Sequence, residues 1–437
     1  MSIIVSKFGG TSLANGRQFL RVKDIILSNE DRKYIVASAP GKSNSEDTKV
    51  TDLLYLSYDL AKHKITFIDT LEKVFDKYKD IIKNANLDLD LSEYFNQLKI
   101  DLESGKDRDF IASRGEYLNA YILANLIGYD FVDAKDLIFF DENGNFDEKK
   151  SYNAIENMKK NHKNAVIPGF YGSMPKGNIK TFSRGGGDLT GSIISRGVKT
   201  DLYENWTDIS GFMSADPRIV KNPNKIEVIT YKELRELSYA GASVLHEEAI
   251  IPVTVAGIPI EIKNTFKPEE KGTLIVEDTF EKGLSEITGV SGKKHFSVIN
   301  IEKVQMNKDK SFHRKLMSVL EVNGIYLEHM PSSIDSLSLI VADKYLTGKI
   351  DTLETEIKTL VNPDKISIKS NIALITVVGR GMINSVGTSA KLFTALAAAG
   401  VNINMIVQGA SELNIIVGVE EKDYEKAINS IYDSFMN

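Results

Sequence analysis

No stretch constrains the fold of this chain more than Ile3-Ile4-Val5-Ser6-Lys7-Phe8-Gly9-Gly10-Thr11-Ser12. Ile3 to Val5 are apolar and β-branched, the composition of a buried strand. Lys7 stands where that strand ends, and Gly9 and Gly10 turn the chain. An amphipathic helix follows, with Leu13, Phe19, Leu20, Val22, Ile25 and Ile26 on one side. Such a junction suits an anion: without Cβ atoms the turn lets phosphate oxygens approach backbone N–H groups. The helix start adds unpaired donors and a positive dipole end, and Lys7 a full charge. These residues alone leave a second reading open, in which Lys7 is a solvated strand-end lysine and the glycines only turn the chain.

The strand–helix alternation continues. Lys33–Ala39 reads as a strand running into Pro40-Gly41-Lys42-Ser43. That tetrad is not a P-loop, because Val36 stands where the motif needs its first glycine. His313-Arg314-Lys315 is likewise no protein-kinase catalytic loop. Thr51 to Asn84 is helical in pattern. A second helical stretch, Ile111–Leu118, carries Glu116 on a mainly apolar face, next to Arg114. Thr181-Phe182-Ser183-Arg184-Gly185-Gly186-Gly187-Asp188 sets a forked cation and a carboxylate around three glycines, before a helix from Leu189. Asp201–Asp208 reads as a strand ending on Thr207-Asp208, where open α/β sheets bind ligands. Ala215-Asp216-Pro217-Arg218 follows, and Ile250–Ile262 is a further strand region. Residues 1–285 thus predict a largely parallel sheet covered by helices on both faces.

Composition narrows the function. The 437 residues suggest about three structural units. A formal net charge of −6, from 54 basic and 60 acidic side chains, argues against a nucleic-acid partner. With no cysteine, disulfides, thiolate metal sites and cysteine catalysis are excluded. No apolar run is long enough for a membrane span or a signal peptide, so the expected location is the cytoplasm. The charged stretch Phe266–Gly283 marks a boundary, and residues 286–437 hold an internal repeat. Phe296–Val304, Phe312–Asn323, Ile325–His329 and Ser336–Val341 read strand, helix, strand, strand. Ile372–Val378, Ser389–Ala399, Val401–Ile406 and Leu413–Val419 read the same way.

Taken together, these segments resemble the aspartokinase family. Lys7-Phe8-Gly9-Gly10-Thr11-Ser12, Arg114-Gly115-Glu116, Arg184–Asp188, Trp206-Thr207-Asp208 and Ala215–Arg218 are similar to its motifs, in the same order. Phe393–Ala397, Asn402–Ile406 and Gln408–Glu412 look like part of its paired ACT modules. The resemblance implies an amino-acid kinase fold over residues 1–285, a mainly parallel eight-stranded sheet between helices. Two ferredoxin-like βαββαβ ACT domains would follow over 286–437, approximately 300–368 and 369–437, with interleaving left open. It implies transfer of the γ-phosphoryl of ATP, with Mg²⁺ and no protein-held metal, to the β-carboxylate of L-aspartate. That is the first step towards lysine, threonine and methionine. By motif position, Lys7 and Asp188 would be catalytic, and Ser38, Thr51, Glu116 and Arg184 would hold aspartate. Lys7, Gly9, Gly10, Thr207, Asp208 and Arg218 would meet the nucleotide. Glu328, Ser332 and Ser333 would hold an effector amino acid, lysine first and threonine as the alternative. A homodimer through the ACT region, or a dimer of dimers, is expected. Ser243 stands where the family commonly has lysine and Glu247 where it has proline; Gly187 and Met213 stand where it often has serine and tyrosine. A sister kinase acting on glutamate, acetylglutamate or a nucleoside monophosphate, and an amino-acid sensor with a silent kinase half, are the alternatives.

Overall fold

The structure is a computed structural model that describes residues 2–183, 185–242, 245, 247–278, 285–383 and 385–436. It forms two units, Met1–Phe212 with Glu227–Tyr231 and Val244–Phe280, and Met213–Ile226 with Lys232–Ser243 and Glu281–Asn437.

The strands of the first unit are β1 (Ile4–Phe8), β2 (Arg32–Ala37), β3 (Asp130–Phe131), β4 (Ala165–Pro168), β5 (Tyr171–Ser173), β6 (Ile179–Thr181), β7 (Leu202–Thr207), β8 (Val228–Thr230), β9 (Ile260–Asn264) and β10 (Thr273–Val276). Eight of them, among the described residues, form one sheet in the order β3-β4-β2-β1-β7-β9-β10-β8. Every neighbouring pair is parallel except β9 with β10. This is the expected mainly parallel sheet, and β1 is central because its residues are buried throughout. β5 and β6 form a separate antiparallel pair. The core joins Phe8 and Trp206 to Phe19, Val22, Val74, Tyr78, Ile111 and Leu123 from the helices Gly16–Leu27, Ile68–Asn84 and Arg108–Ile127.

Two local expectations change. The glycines after β1 lead first into a 3-10 turn, Thr11–Leu13. The helix begins at Gly16, where the Asn15 side chain accepts from the Gln18 N–H at 3.1 Å. Residues 250–262 do not form a single strand: Ile251–Val255 is helical with Pro252 in its first turn, and the strand is only Ile260–Asn264. Pro252 lacks a ladder donor but fits a helix start, which decides the matter.

In the second unit the strands are β11 (Gly289–Glu302), β12 (Leu327–His329), β13 (Ser336–Ala342), β14 (Lys365–Val378), β15 (Met405–Val407) and β16 (Asn414–Glu420). They form one antiparallel sheet, β12-β13-β11-β14-β16-β15. β11 and β14 are long and shared. Gly289–Lys293 pairs with Leu374–Val378, and Phe296–Glu302 with Lys365–Ile372, across a register break at His295, whose φ is +72°. Each repeat thus completes its sheet with half a strand from beyond its own βαββ run. Helices Phe312–Val322 and Ile350–Val361 cover one repeat, and Thr388–Ala398 and Tyr424–Met436 the other.

The first sheet carries a buried ion pair. Glu204 on β7 accepts from Arg32 at 2.7 and 2.9 Å, from Ser6 Oγ at 2.7 Å and from Trp206 Nε1 at 2.8 Å. Burial opposes its ionisation, but these donors hold its carboxyl below the usual range. Removing one partner of such a pair costs about 3–5 kcal/mol, because the other charge stays buried. Glu204→Ala is expected to lower unfolding stability by about that amount in urea titrations.

Candidate active site

Parallel pairing sets Lys7 opposite Asn205 and Ser6 opposite Glu204. Side chains alternate along a strand, so Lys7 and Asn205 share one face and Ser6 and Glu204 the other. On the Lys7 face the helix Gly186–Val198 starts from Gly185, held at φ +58°, and carries Asp188 in its first turn. Lys7 Nζ lies 2.6 Å from Asp188 Oδ1. Asn205 Nδ2 donates to that same oxygen at 2.8 Å. The Tyr203 hydroxyl donates to the Asp188 carbonyl at 3.2 Å. A lysine only 8% exposed is therefore aimed and paired at the C-terminal end of the central strands.

Two glycine contacts shape the surrounding loops. The Gly41 N–H donates to the Gly10 carbonyl at 2.8 Å. A Cβ on Gly41 would fall 2.5 Å from the Gly10 carbonyl carbon, so any side chain there would force the loops apart. A Cβ on Gly187 would lie 2.9 Å from Ser38 Oγ and 3.4 Å from Lys7 Cε. The glycine at this position thus allows a close approach to Ser38 and Lys7 that a side chain would crowd.

Glu116 is buried in the helix Arg108–Ile127. That helix is buried nearly all round, which is why its pattern reads weakly as amphipathic. Loss of water is the largest influence on the Glu116 carboxyl and pushes it up to about 8. The backbone N–H groups of Ala39 and Glu116, and the charge of Arg114, oppose that rise. One turn on, Asn119 Nδ2 donates to the Ser38 carbonyl at 2.6 Å.

Thr51 sits half-buried in the first turn of the helix Val50–Lys62. Thr207 ends β7, and its hydroxyl donates to Asp208 at 3.2 Å. Gly9 N–H donates to the Trp206 carbonyl at 3.0 Å, next to that end. Lys7, Gly9, Gly10, Ser38, Asp188, Thr207 and Asp208 thus all lie at the C-terminal ends of β1, β2 and β7 or on the helix start facing them. Arg184, Ser243 and His246 lie outside the described residues. Arg218 belongs to the second unit, where it is exposed and chelates Asp216 through Nη2 at 2.6 Å and Nε at 3.0 Å.

The proposed effector residues are spread out. Leu327 of β12 packs against the core of its repeat, so Glu328 points to the opposite face and accepts from the Tyr239 hydroxyl at 2.5 Å. Ser333 lines a separate cavity of about 450 Å³ with Asn300, Lys303 and Asp335, whose lining does not include Glu328. Ser332 is exposed in the same turn.

Sequence reasoning passed over Asn205, Asn119 and Gly41. For two of them a signal was present. Asn205 is two residues before Thr207 on one strand, and Asn119 is three after Glu116 on one helix, so each shares a face with a residue already singled out. Gly41 had no such signal, since its reason is contact with a distant loop.

A family model of the amino acid kinase family matches residues 2–264, and an ACT domain model matches 375–435. Aspartokinase 3 of Bacillus subtilis is 37% identical over 446 residues, covering 99% of this chain and 98% of the relative. The chain belongs to the aspartokinase family. It is accordingly an aspartate kinase, with a kinase sheet and an ACT-type antiparallel sheet. Among solved aspartokinases, the allosteric enzyme of Clostridium acetobutylicum is 54% identical with a TM-score of 0.93, each chain covered in full. Two structures of E. coli aspartokinase III, one with aspartate and ADP and one with lysine and aspartate, share the fold at 21% and 22% identity and a TM-score of 0.74.

The buried Glu116 has a consequence for stability. Its folded pKa lies above its unfolded value, so folding takes up a proton between the ordinary carboxylate range and about pH 8. Stability should therefore fall as pH rises through that window. Glu116→Gln is expected to flatten this dependence in urea unfolding measured from pH 5 to 8, because glutamine has no proton to lose.

Proposed function

We propose that the chain transfers the γ-phosphoryl group of ATP to the β-carboxylate of L-aspartate, giving 4-phospho-L-aspartate, under feedback inhibition by an end-product amino acid. The observation that carries this reading is the buried Lys7–Asp188 pair, steadied by Asn205, beside the Gly9–Gly10 turn. A carboxylate oxygen attacks the γ-phosphorus and ADP leaves, so negative charge gathers between two anionic reactants. Such a transfer needs positioning and charge neutralisation more than covalent help. Lys7 would supply the charge, and Asp188 would hold its ammonium in place until the phosphoryl group arrives. Glu116 would take the ammonium of aspartate, Arg184 a carboxylate, and Ser38 and Thr51 the remaining polar contacts. Gly9, Gly10, Thr207 and Asp208 would meet the nucleotide.

Mg²⁺ would accompany the nucleotide, offsetting phosphate charge. It takes oxygen ligands, commonly one or two carboxylates with waters and substrate phosphates. Asp188 and Asp208, near the end of β7, fit that limited role. Among the described residues, the group of three close enough to cage an ion is His295, Asp343 and Glu421, in the second unit.

Regulation is inferred for the second unit, because a catalytic unit alone has no use for two repeats. Lysine is the first choice of effector and threonine the alternative. The same sheet would carry the pairing of two chains, and no described helix is long and apolar enough to cross a membrane.

The test is ADP release over a panel of amino acids. Aspartate should be the substrate, and Lys7→Ala should lower kcat by ~10²–10³ with little change in the Michaelis constant for aspartate. Turnover confined to another acceptor would overturn the reading. Lysine should inhibit, and Glu328→Ala should raise the half-inhibitory lysine concentration severalfold while leaving uninhibited turnover near normal.

A further inference from the structure

The helix Arg108–Ile127 holds the peptide group between Ser38 and Ala39. Asn119 Nδ2 donates to the carbonyl of Ser38. The N–H of Ala39, the other half of that peptide, opposes the rise that burial imposes on the Glu116 carboxyl. Each side chain is left with one unused atom. Glu116 Oε2 and Asn119 Oδ1 are buried, and no donor reaches either among the described residues. The residues are 7% and 0% exposed.

A buried acceptor without a donor is costly, and two of them one turn apart on a helix share a face. Two donors, one on a neighbouring helix and one on this helix, are committed elsewhere. The Tyr78 hydroxyl donates to the Gly115 carbonyl at 2.6 Å. Arg114 donates to Ser113 Oγ and stacks on Phe110 and Tyr117 at 4.6 and 4.5 Å. A bound ligand would supply the missing donor. A primary ammonium, compact and carrying three N–H groups, suits two adjacent acceptors, one of them ionisable.

We propose that Asn119 Oδ1 joins Glu116 Oε2 in receiving the α-ammonium of the phosphoryl acceptor, making Asn119 a specificity residue for amino-bearing substrates. This rests on the reading that an amino acid is the acceptor. Asn119 acts at both ends of its amide: the oxygen meets the ammonium, and the nitrogen holds the peptide that carries Ser38 towards Lys7. A carboxyl pushed up to about 8 by burial is ready to ionise when a cation arrives.

Succinate separates this role from a structural one, since it has both carboxylates of aspartate and no ammonium. In Asn119→Ala the Michaelis constant for aspartate should rise about tenfold or more, the loss of one charge-assisted hydrogen bond. The constant for ATP should stay within about twofold and the inhibition constant of succinate should rise less than the constant for aspartate, so the preference for aspartate over succinate falls. Asn119→Gln keeps both amide atoms but displaces them by one methylene, so there too the preference should fall; it serves if the alanine variant does not fold. A preference unchanged in whichever variant folds, or constants that all rise together, overturns the proposal. If the wild type turns over a different amino acid, the same comparison is made with that acid and its deaminated analogue. Turnover only of acceptors lacking an amine overturns it outright.

Discussion

The in-register parallel pairing of β1 with β7 is the constraint on which the site depends. It places Lys7 beside Asn205 and Ser6 beside Glu204. Because the strand period is two, these pairs face opposite ways. One face becomes polar chemistry, Lys7 with Asn205 and Asp188; the other becomes structure, Glu204 with Ser6, Arg32 and Trp206. A one-residue slip would exchange the two faces and bury Lys7 among the wrong partners. The Phe8–Trp206 stack, with centroids 5.8 Å apart, supports this register from the apolar side.

Around that centre the protein tolerates costs that a purely structural core would avoid. Glu116 is a carboxyl kept largely from water, and its second oxygen has no donor among the described residues. Gly10 and Gly41 bring two loops together with no room for a side chain between them. Gly187 lets the backbone approach Ser38 and Lys7 where a Cβ would crowd them. Local rules fail together at functional sites because a ligand supplies what the free protein lacks.

The second unit shows a different logic. A βαββ repeat leaves a sheet edge bare, and an unpaired edge invites association. Here β11 and β14 are long enough to serve both repeats, so each repeat borrows half a strand and the two close into one sheet. The break at His295 shifts the register while β11 stays paired with β14 on both sides of it.

Much of this was legible in the residues. Apolar β-branched runs followed by glycine marked β1, β2 and β4, and the three- and four-residue spacing marked the helices, because both signals are local. Lys7, Glu116 and Asp188 stood out through charge among glycines and apolar neighbours. What the sequence could not state was who meets whom. That Lys7 lies against Asp188, that Asn119 holds the Ser38 carbonyl, and that Gly41 rests on Gly10 are contacts between distant segments. They are set by strand register and loop closure. By itself the sequence determined the elements, their order and the chemistry available. Only the tertiary structure decided which charges pair and which buried atoms stay unpaired, because those outcomes depend on distances that residue spacing along the chain does not contain.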